Sequence, residues 1–270
     1  MQKYKFGWRP ELPDRRDYPF AKTFRVTGKL PDSVDLRTGC SQIEDQGELG
    51  SCTAQALVGA LEFLEIRHAQ ARLLRGFEDL SRLFVYLNER IALGERYSDS
   101  GAYLRTGIKS LAKQGCCRES LWPYIVSKFA DEPPKECYDE ALEHQITAYY
   151  RLSTLRDMKS CLAMGLPFVG GFTCYDSLMS DEVAKTGNIP LPGEGESVIG
   201  GHAIMFVGYD DKTGLVIIRN SWGESWGQAG YGTLPYAYLE SRDLSDDFWC
   251  IQTVESNQYC ARYEITEATV

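Results

Sequence analysis

From Thr53 onward, apolar residues recur at three- and four-residue steps at Ala54, Leu57, Val58, Leu61 and Leu64, and the next proline comes only after residue 120. That spacing predicts a long α-helix. The same rhythm predicts helices over 80–92 (Leu80, Leu83, Phe84, Leu87, Ile91) and 102–114 (Tyr103, Gly107, Ile108, Leu111), with shorter ones at 135–144 and 154–164. Between them, Trp122-Pro123-Tyr124 and Pro133-Pro134 make 116–135 loop-like. The second half changes period. Runs at 167–172, 203–209 and 215–219 are short, apolar or alternating, and bounded by Gly or Asp, which predicts strands. Asp210–Gly214 between the last two is a hairpin signal. Residues 176–201 are polar and predict a long loop, of the kind that often forms a lid or binding element. A helical half followed by a strand-rich half is an α+β arrangement with room for a cleft between lobes.

The first 30 residues follow neither period. Pro10, Pro13 and Pro19 disfavour helix and strand interiors, and Phe6, Trp8, Leu12, Tyr18 and Phe20 are spaced as anchors of an extended strap. Two readings stand: a belt across the body, or a segment lying in a groove.

Composition narrows the function. The chain has 270 residues, 43% of them hydrophobic, enough for one large domain or two half-sized lobes. A net charge of −9 gives no long-range attraction to nucleic acid or to an anionic membrane, and no run of five basic residues occurs. Neither partner is expected. The N-terminal residues hold no apolar core of a secretory signal, and no run approaches the 18 apolar residues of a membrane span. The compartment stays open. Nine cysteines would allow up to four disulfides beside one free thiol, with pairing not deducible from spacing. Only three histidines occur and none has finger spacing to cysteines, so no metal or other cofactor is expected.

Three motifs carry chemistry. Asp45-Gln-Gly-Glu-Leu-Gly-Ser-Cys52-Thr53 delivers a cysteine to the first turn of the long helix. Unpaired N–H groups and the positive dipole end favour thiolate there, so a lowered pKa is expected. A lone cysteine in that place is more often an inert core residue. Gly200-Gly201-His202-Ala203 puts a histidine 150 residues later at a strand start. His68 and His144 sit among charged neighbours and read as surface residues. Asn220-Ser221-Trp222-Gly223 follows the last predicted strand, 18 residues after His202.

Together, Gln46-Gly47, Gly50-Ser51-Cys52, Gly201-His202-Ala203 and Asn220-Ser221-Trp222-Gly223 resemble the papain family of cysteine peptidases, compact bacterial type, over about residues 31–254. Pro31-Asp-Ser-Val-Asp-Leu-Arg37 is similar to the start of that family's mature domain. The resemblance implies a two-lobe fold, with a helical lobe over about 41–145, a β-barrel-like lobe over about 146–250 and the active site between them. Residues 1–30 would then be a short pro-segment or strap, and 255–270 a tail without assignment. It implies Cys52 as nucleophile, His202 as base and acid, Asn220 as the residue orienting the imidazole, and Gln46 as an oxyanion donor, in a monomer acting on peptide or protein substrates. Trp222 would shield the His–Asn pair. Ser100-Gly101 stands where the family binds substrate backbone with a Gly-Gly pair. Gly171, Gly201 and Ala203 would line a roomy specificity pocket. Thr53 replaces the family's usual aromatic residue after the nucleophile, and Leu49 replaces a disulfide cysteine. An inactive peptide-binding relative, and acyl transfer from the same thioester to an amine, are the alternatives.

Overall fold

The computed structural model describes residues 4–24, 26, 28–71 and 77–253. In chain order the helices are α1 (Phe20–Thr23), α2 (Cys52–Ala71), α3 (Arg82–Ala92), α4 (Leu104–Lys113), α5 (Lys135–Ala141), α6 (Leu155–Ala163), α7 (Asp181–Thr186) and α8 (Tyr236–Glu240). The strands are β1 (Ser33–Asp35), β2 (Ala148–Arg151), β3 (Phe168–Tyr175), β4 (Val198–Asp210), β5 (Leu215–Arg219), β6 (Tyr231–Pro235) and β7 (Ser245–Gln252). All pairings are antiparallel, in the order β2-β7-β3-β4-β5-β6, with β1 added beside β4.

The fold is papain-like, with the larger helices α2–α4 in the first half and six of the seven strands in the second. The sheet is not closed into a barrel, because its path ends at β2 on one side and β6 on the other. The expected barrel-like half is therefore an open, strongly paired sheet. Its long member, β4, begins at Val198, so the last part of the predicted 176–201 loop is strand. The rest of that segment holds a 3-10 turn at Asp176–Met179 and α7. The Ser180 hydroxyl caps α7 by accepting from Val183 N–H, and Gly187 ends it with φ 72°. Such a left-handed terminus suits glycine.

α2 is the axis of the body. It packs on α3, α4 and β4, and every residue from Cys52 to Leu64 is buried. Its polar residues Thr53 and Glu62 are accordingly paired inside, Thr53 donating to Glu89 Oε2 at 2.8 Å. Glu62 accepts from Arg82 Nη2 (2.5 Å), the Ser41 hydroxyl (2.6 Å) and Leu80 N–H (3.0 Å). A buried ion pair holds its place only when its remaining hydrogen bonds are filled in this way. The eight described cysteines are all free thiols. The tail at 255–270, with Cys260, lies outside the described residues.

Candidate active site

Cys52 is the first residue of α2, His202 lies in β4, and Asn220 follows β5. Sheet pairing sets their relation. β4 and β5 are joined by the Asp210–Gly214 turn, in which Gly214 N–H donates to Asp210 O at 2.9 Å. Running back along the pair brings residue 202 beside residue 220. His202 Nε2 and Asn220 Oδ1 are 2.8 Å apart. Ser221 N–H also donates to that oxygen, at 2.8 Å. Two groups thus converge on Oδ1, which as an acceptor requires Nε2 to carry the proton. In the neutral ring Nδ1 then holds the lone pair. Nδ1 is buried and has no hydrogen-bond partner.

The loop before α2 is zipped to the segment after Asn220. Gln46 N–H donates to Ser221 O (2.9 Å) and Gly223 N–H to Glu44 O (3.0 Å). The Ser221 hydroxyl donates to Gln46 Oε1 at 2.7 Å, so the amide NH₂ must point the other way. Nε2 reaches Leu49 O at 2.8 Å and Lys5 O at 2.9 Å. Ser221 was not singled out by sequence reading, although it stands inside the quoted motif. Tyr124 braces the same loop, its hydroxyl 2.6 Å from Ser51 Oγ and 3.0 Å from Gln46 O.

The strap runs across this group. Tyr4 stacks on Trp222 with centroids 4.5 Å apart and planes 4° apart, and Phe6 lies edge-on to His202 at 6.2 Å. Trp222 itself lies 4.8 Å from the His202 ring. Ala102 N–H donates to Gly7 O (2.8 Å), Arg9 N–H to Ala102 O (3.0 Å), and Trp8 N–H to Gly201 O (3.0 Å). On the helical side the backbone groups that hold the strap thus belong to Ala102, one residue beyond the expected Ser100-Gly101 pair, and on the sheet side the strap is held by Gly201 O. Ser100 turns its hydroxyl to Gly101 O (3.3 Å).

Trp8 enters a pocket formed by Gly171 and Gly201. A Cβ at Gly171 would lie 1.9 Å from the indole, and one at Gly201 2.7 Å from it. Its Nε1–H donates to Asp247 Oδ2 (3.2 Å). Asp247 came from no sequence signal.

Cys52, His202 and Gln46 are fully buried, and Trp222 and Asn220 nearly so. Burial pushes the Cys52 thiol up to about 12, outweighing backbone N–H groups of Ala203, Gly7 and Thr53 that pull it down. The expected thiolate at a helix N-terminus is thus overridden by desolvation under the strap. Cys52 Sγ accepts from Ala203 N–H at 3.4 Å. Burial also lowers His202 to about 4. His68 and His144 are half-buried rather than surface residues, and His144 Nδ1 is 2.7 Å from Glu65 Oε1.

These shifts predict a stability profile. His202 titrates at about 4 folded against an ordinary 6.5, so the unfolded chain takes the extra proton first as pH falls. Its contribution is whole above pH 6.5 and shrinks toward pH 4. Cys52 contributes fully below its ordinary 9.0 and loses that contribution as pH rises toward 12. Denaturant unfolding at pH 7.5 and 4.5 should show an acid loss that is smaller in His202→Gln by on the order of 2 kcal/mol. Equal losses in both chains would refute it.

Residues 30–241 match the family described as papain family cysteine protease. The chain belongs to the papain family of cysteine proteases. Among papain-family relatives, an uncharacterized peptidase C1-like protein of Acanthamoeba polyphaga mimivirus is 38% identical over 275 residues, covering 92% of this chain and 87% of the relative. Cathepsin B-like CP3 of Giardia intestinalis is 32% identical, covering 75% of this chain and 68% of its own. The crystal structure of xylellain, a cysteine protease from Xylella fastidiosa, matches with a TM-score of 0.84 at 38% identity, over 94% of this chain and 98% of that one. As a papain-family protease the chain is a hydrolase that acts on peptide or protein substrates.

Proposed function

We propose that this papain-family protease cleaves peptide bonds with Cys52, His202, Asn220 and Gln46, in a cleft between a helical lobe and a β lobe that residues 4–11 hold shut. The observation that carries the reading is the convergence of His202 Nε2 on Asn220 Oδ1 at 2.8 Å, beneath a strap that buries the whole group. Asn220 fixes the tautomer, leaving Nδ1 to take the Cys52 proton. The thiolate attacks the scissile carbonyl, and a C–S bond forms while the amide C–N bond breaks. The imidazolium returns its proton to the leaving amine. Water, deprotonated by the same imidazole, then splits the thioester and restores the thiol. Gln46 Nε2–H, held outward by Ser221, donates to the oxyanion.

In the strapped chain that donor is spent on the carbonyl of Lys5, and the thiol is neutral. Water returning to an open cleft removes the desolvation and lets the helix terminus favour thiolate. Ser100, Gly101, Gly171, Gly201 and Ala203 are the remaining candidates for the substrate-facing wall.

A thiol-directed epoxysuccinyl peptide tests the assignment. In a chain lacking residues 1–9, whose cleft is uncovered, intact mass and peptide mapping should place the first adduct on Cys52, ahead of the other seven described cysteines, the half-buried Cys40 included. A first adduct elsewhere, or equal labelling of Cys52→Ala, would reject the site.

A further inference from the structure

The pocket that receives Trp8 has a charged floor. Asp247 is fully buried, and its carboxylate accepts three donors. Arg151 Nη1 reaches Oδ1 at 2.6 Å, while Trp8 Nε1–H (3.2 Å) and Glu11 N–H (3.0 Å) share Oδ2. Two of the three donors come from the strap. When the strap leaves, Arg151 still holds Oδ1 and water takes the place of the two lost donors at Oδ2; a bound side chain that expels this water without supplying a donor leaves Oδ2 unpaired. A buried acceptor without a donor is costly, so the open pocket favours a side chain that restores one.

We propose that Asp247 sets side-chain specificity in the substrate cleft, selecting an aromatic residue that carries a hydrogen-bond donor, tryptophan foremost. This rests on the reading that residues 4–11 occupy the cleft. The shape supports tryptophan. Gly171 and Gly201 leave the space that an indole fills, and Trp8 shows its N–H meeting Oδ2. Phenylalanine fits the walls and leaves Oδ2 bare.

Desolvation argues against a basic side chain. Arg105 is paired with Glu11 (3.1 Å) on the cleft segment and with Asp17 (2.6 Å) on the part of the chain that stays with the body. Arg151 is shared between Asp246 (2.5 Å) and Asp247. With residues 4–11 gone, Asp17 still has Arg105, and Asp246 and Asp247 still have Arg151. A lysine or arginine entering the pocket would be desolvated for one open acceptor, Oδ2, with its other donors unfilled.

The test uses the full-length chain. Gly7→Val opens the cleft without removing the strap, because a Cβ at Gly7 would lie 1.8 Å from Gly50 O. Fluorogenic tetrapeptides carry Trp, Tyr, Phe, Leu or Lys in turn at each position before the scissile bond, and kcat/KM is measured for parent and Gly7→Val. At one position Trp should exceed Phe and Lys at least tenfold. In the Asp247→Asn, Gly7→Val double variant the Trp-to-Phe ratio should fall at least fivefold. Asparagine tolerates the φ of 61° found there. Gly171→Ala is the second variant, and should cost Trp substrates far more than Leu ones.

A Trp-to-Phe ratio near one, or a ratio that Asp247→Asn leaves unchanged, overturns the proposal. A Gly7→Val chain no faster than the parent on any peptide overturns the strap reading instead, while the ratios in the parent still decide Asp247.

Discussion

Cys52→Ala is expected to lower kcat by on the order of 10⁵- to 10⁶-fold, to the limit of a sensitive fluorogenic assay. Nucleophile removal in a covalent mechanism costs about as much as removal of the whole catalytic set, because the partners have nothing left to activate. The fold should survive. Cys52 is a small buried residue, and alanine removes one sulfur and one weak acceptor contact from Ala203 N–H. That change costs about 1 kcal/mol at a site already packed. The variant therefore separates chemistry from folding. It should still bind a substrate-derived inhibitor once the strap is opened. Retention of more than about 1% of parental kcat would mean that another thiol, or another mechanism, performs the cleavage. Adding a small amine to the parent reaction separates hydrolysis from acyl transfer. Hydrolysis leaves a free carboxylate as the main product, whereas transfer yields the amide.

The four proposed catalytic residues were legible because each sits in a short motif whose local geometry is set by its neighbours. Gln46, Cys52 and Asn220 lie at element boundaries, where Gly and Ser mark the turns. His202 was placed by the strand that follows it. The body was less legible where strands are short or begin with charge. β2 has four half-buried residues, and β7 opens with Ser245-Asp246-Asp247, which hides a strand that pairs on both sides. Residues 176–201 were read as one loop although Ser180, Asp181, Glu182 and Gly187 carry the cap signals of a short helix. The elevated Cys52 pKa could not be read at all. It depends on a segment more than 40 residues away folding over the helix terminus, and a helix-dipole argument contains no such cover.

The strap itself divides into two parts with opposite consequences for truncation. Residues 4–11 lie over the proposed catalytic group and in the Trp8 pocket. Residues 17–24 belong to the body. Phe20 and Phe24 are buried, with centroids 4.8 Å apart, and Phe24 meets Tyr150 at 5.0 Å. Arg151 N–H donates to Tyr18 O at 2.9 Å, and Arg105 is held by Asp17. The belt and the plug are thus both present, one after the other. A chain lacking residues 1–9 should show kcat/KM raised tenfold or more, since a strap that favours closure by only about 1.4 kcal/mol leaves about one molecule in ten open. A chain lacking residues 1–30 should instead lose about 3–6 kcal/mol of stability, because it removes two buried phenylalanines worth about 1.5–3 kcal/mol each and bares the surface they cover at Tyr150. Its activity gain would be masked by unfolding at assay temperature. Denaturant midpoints measured beside kcat/KM separate the two effects. If the 1–9 deletion folds like the parent and is no more active, residues 4–11 do not close the site.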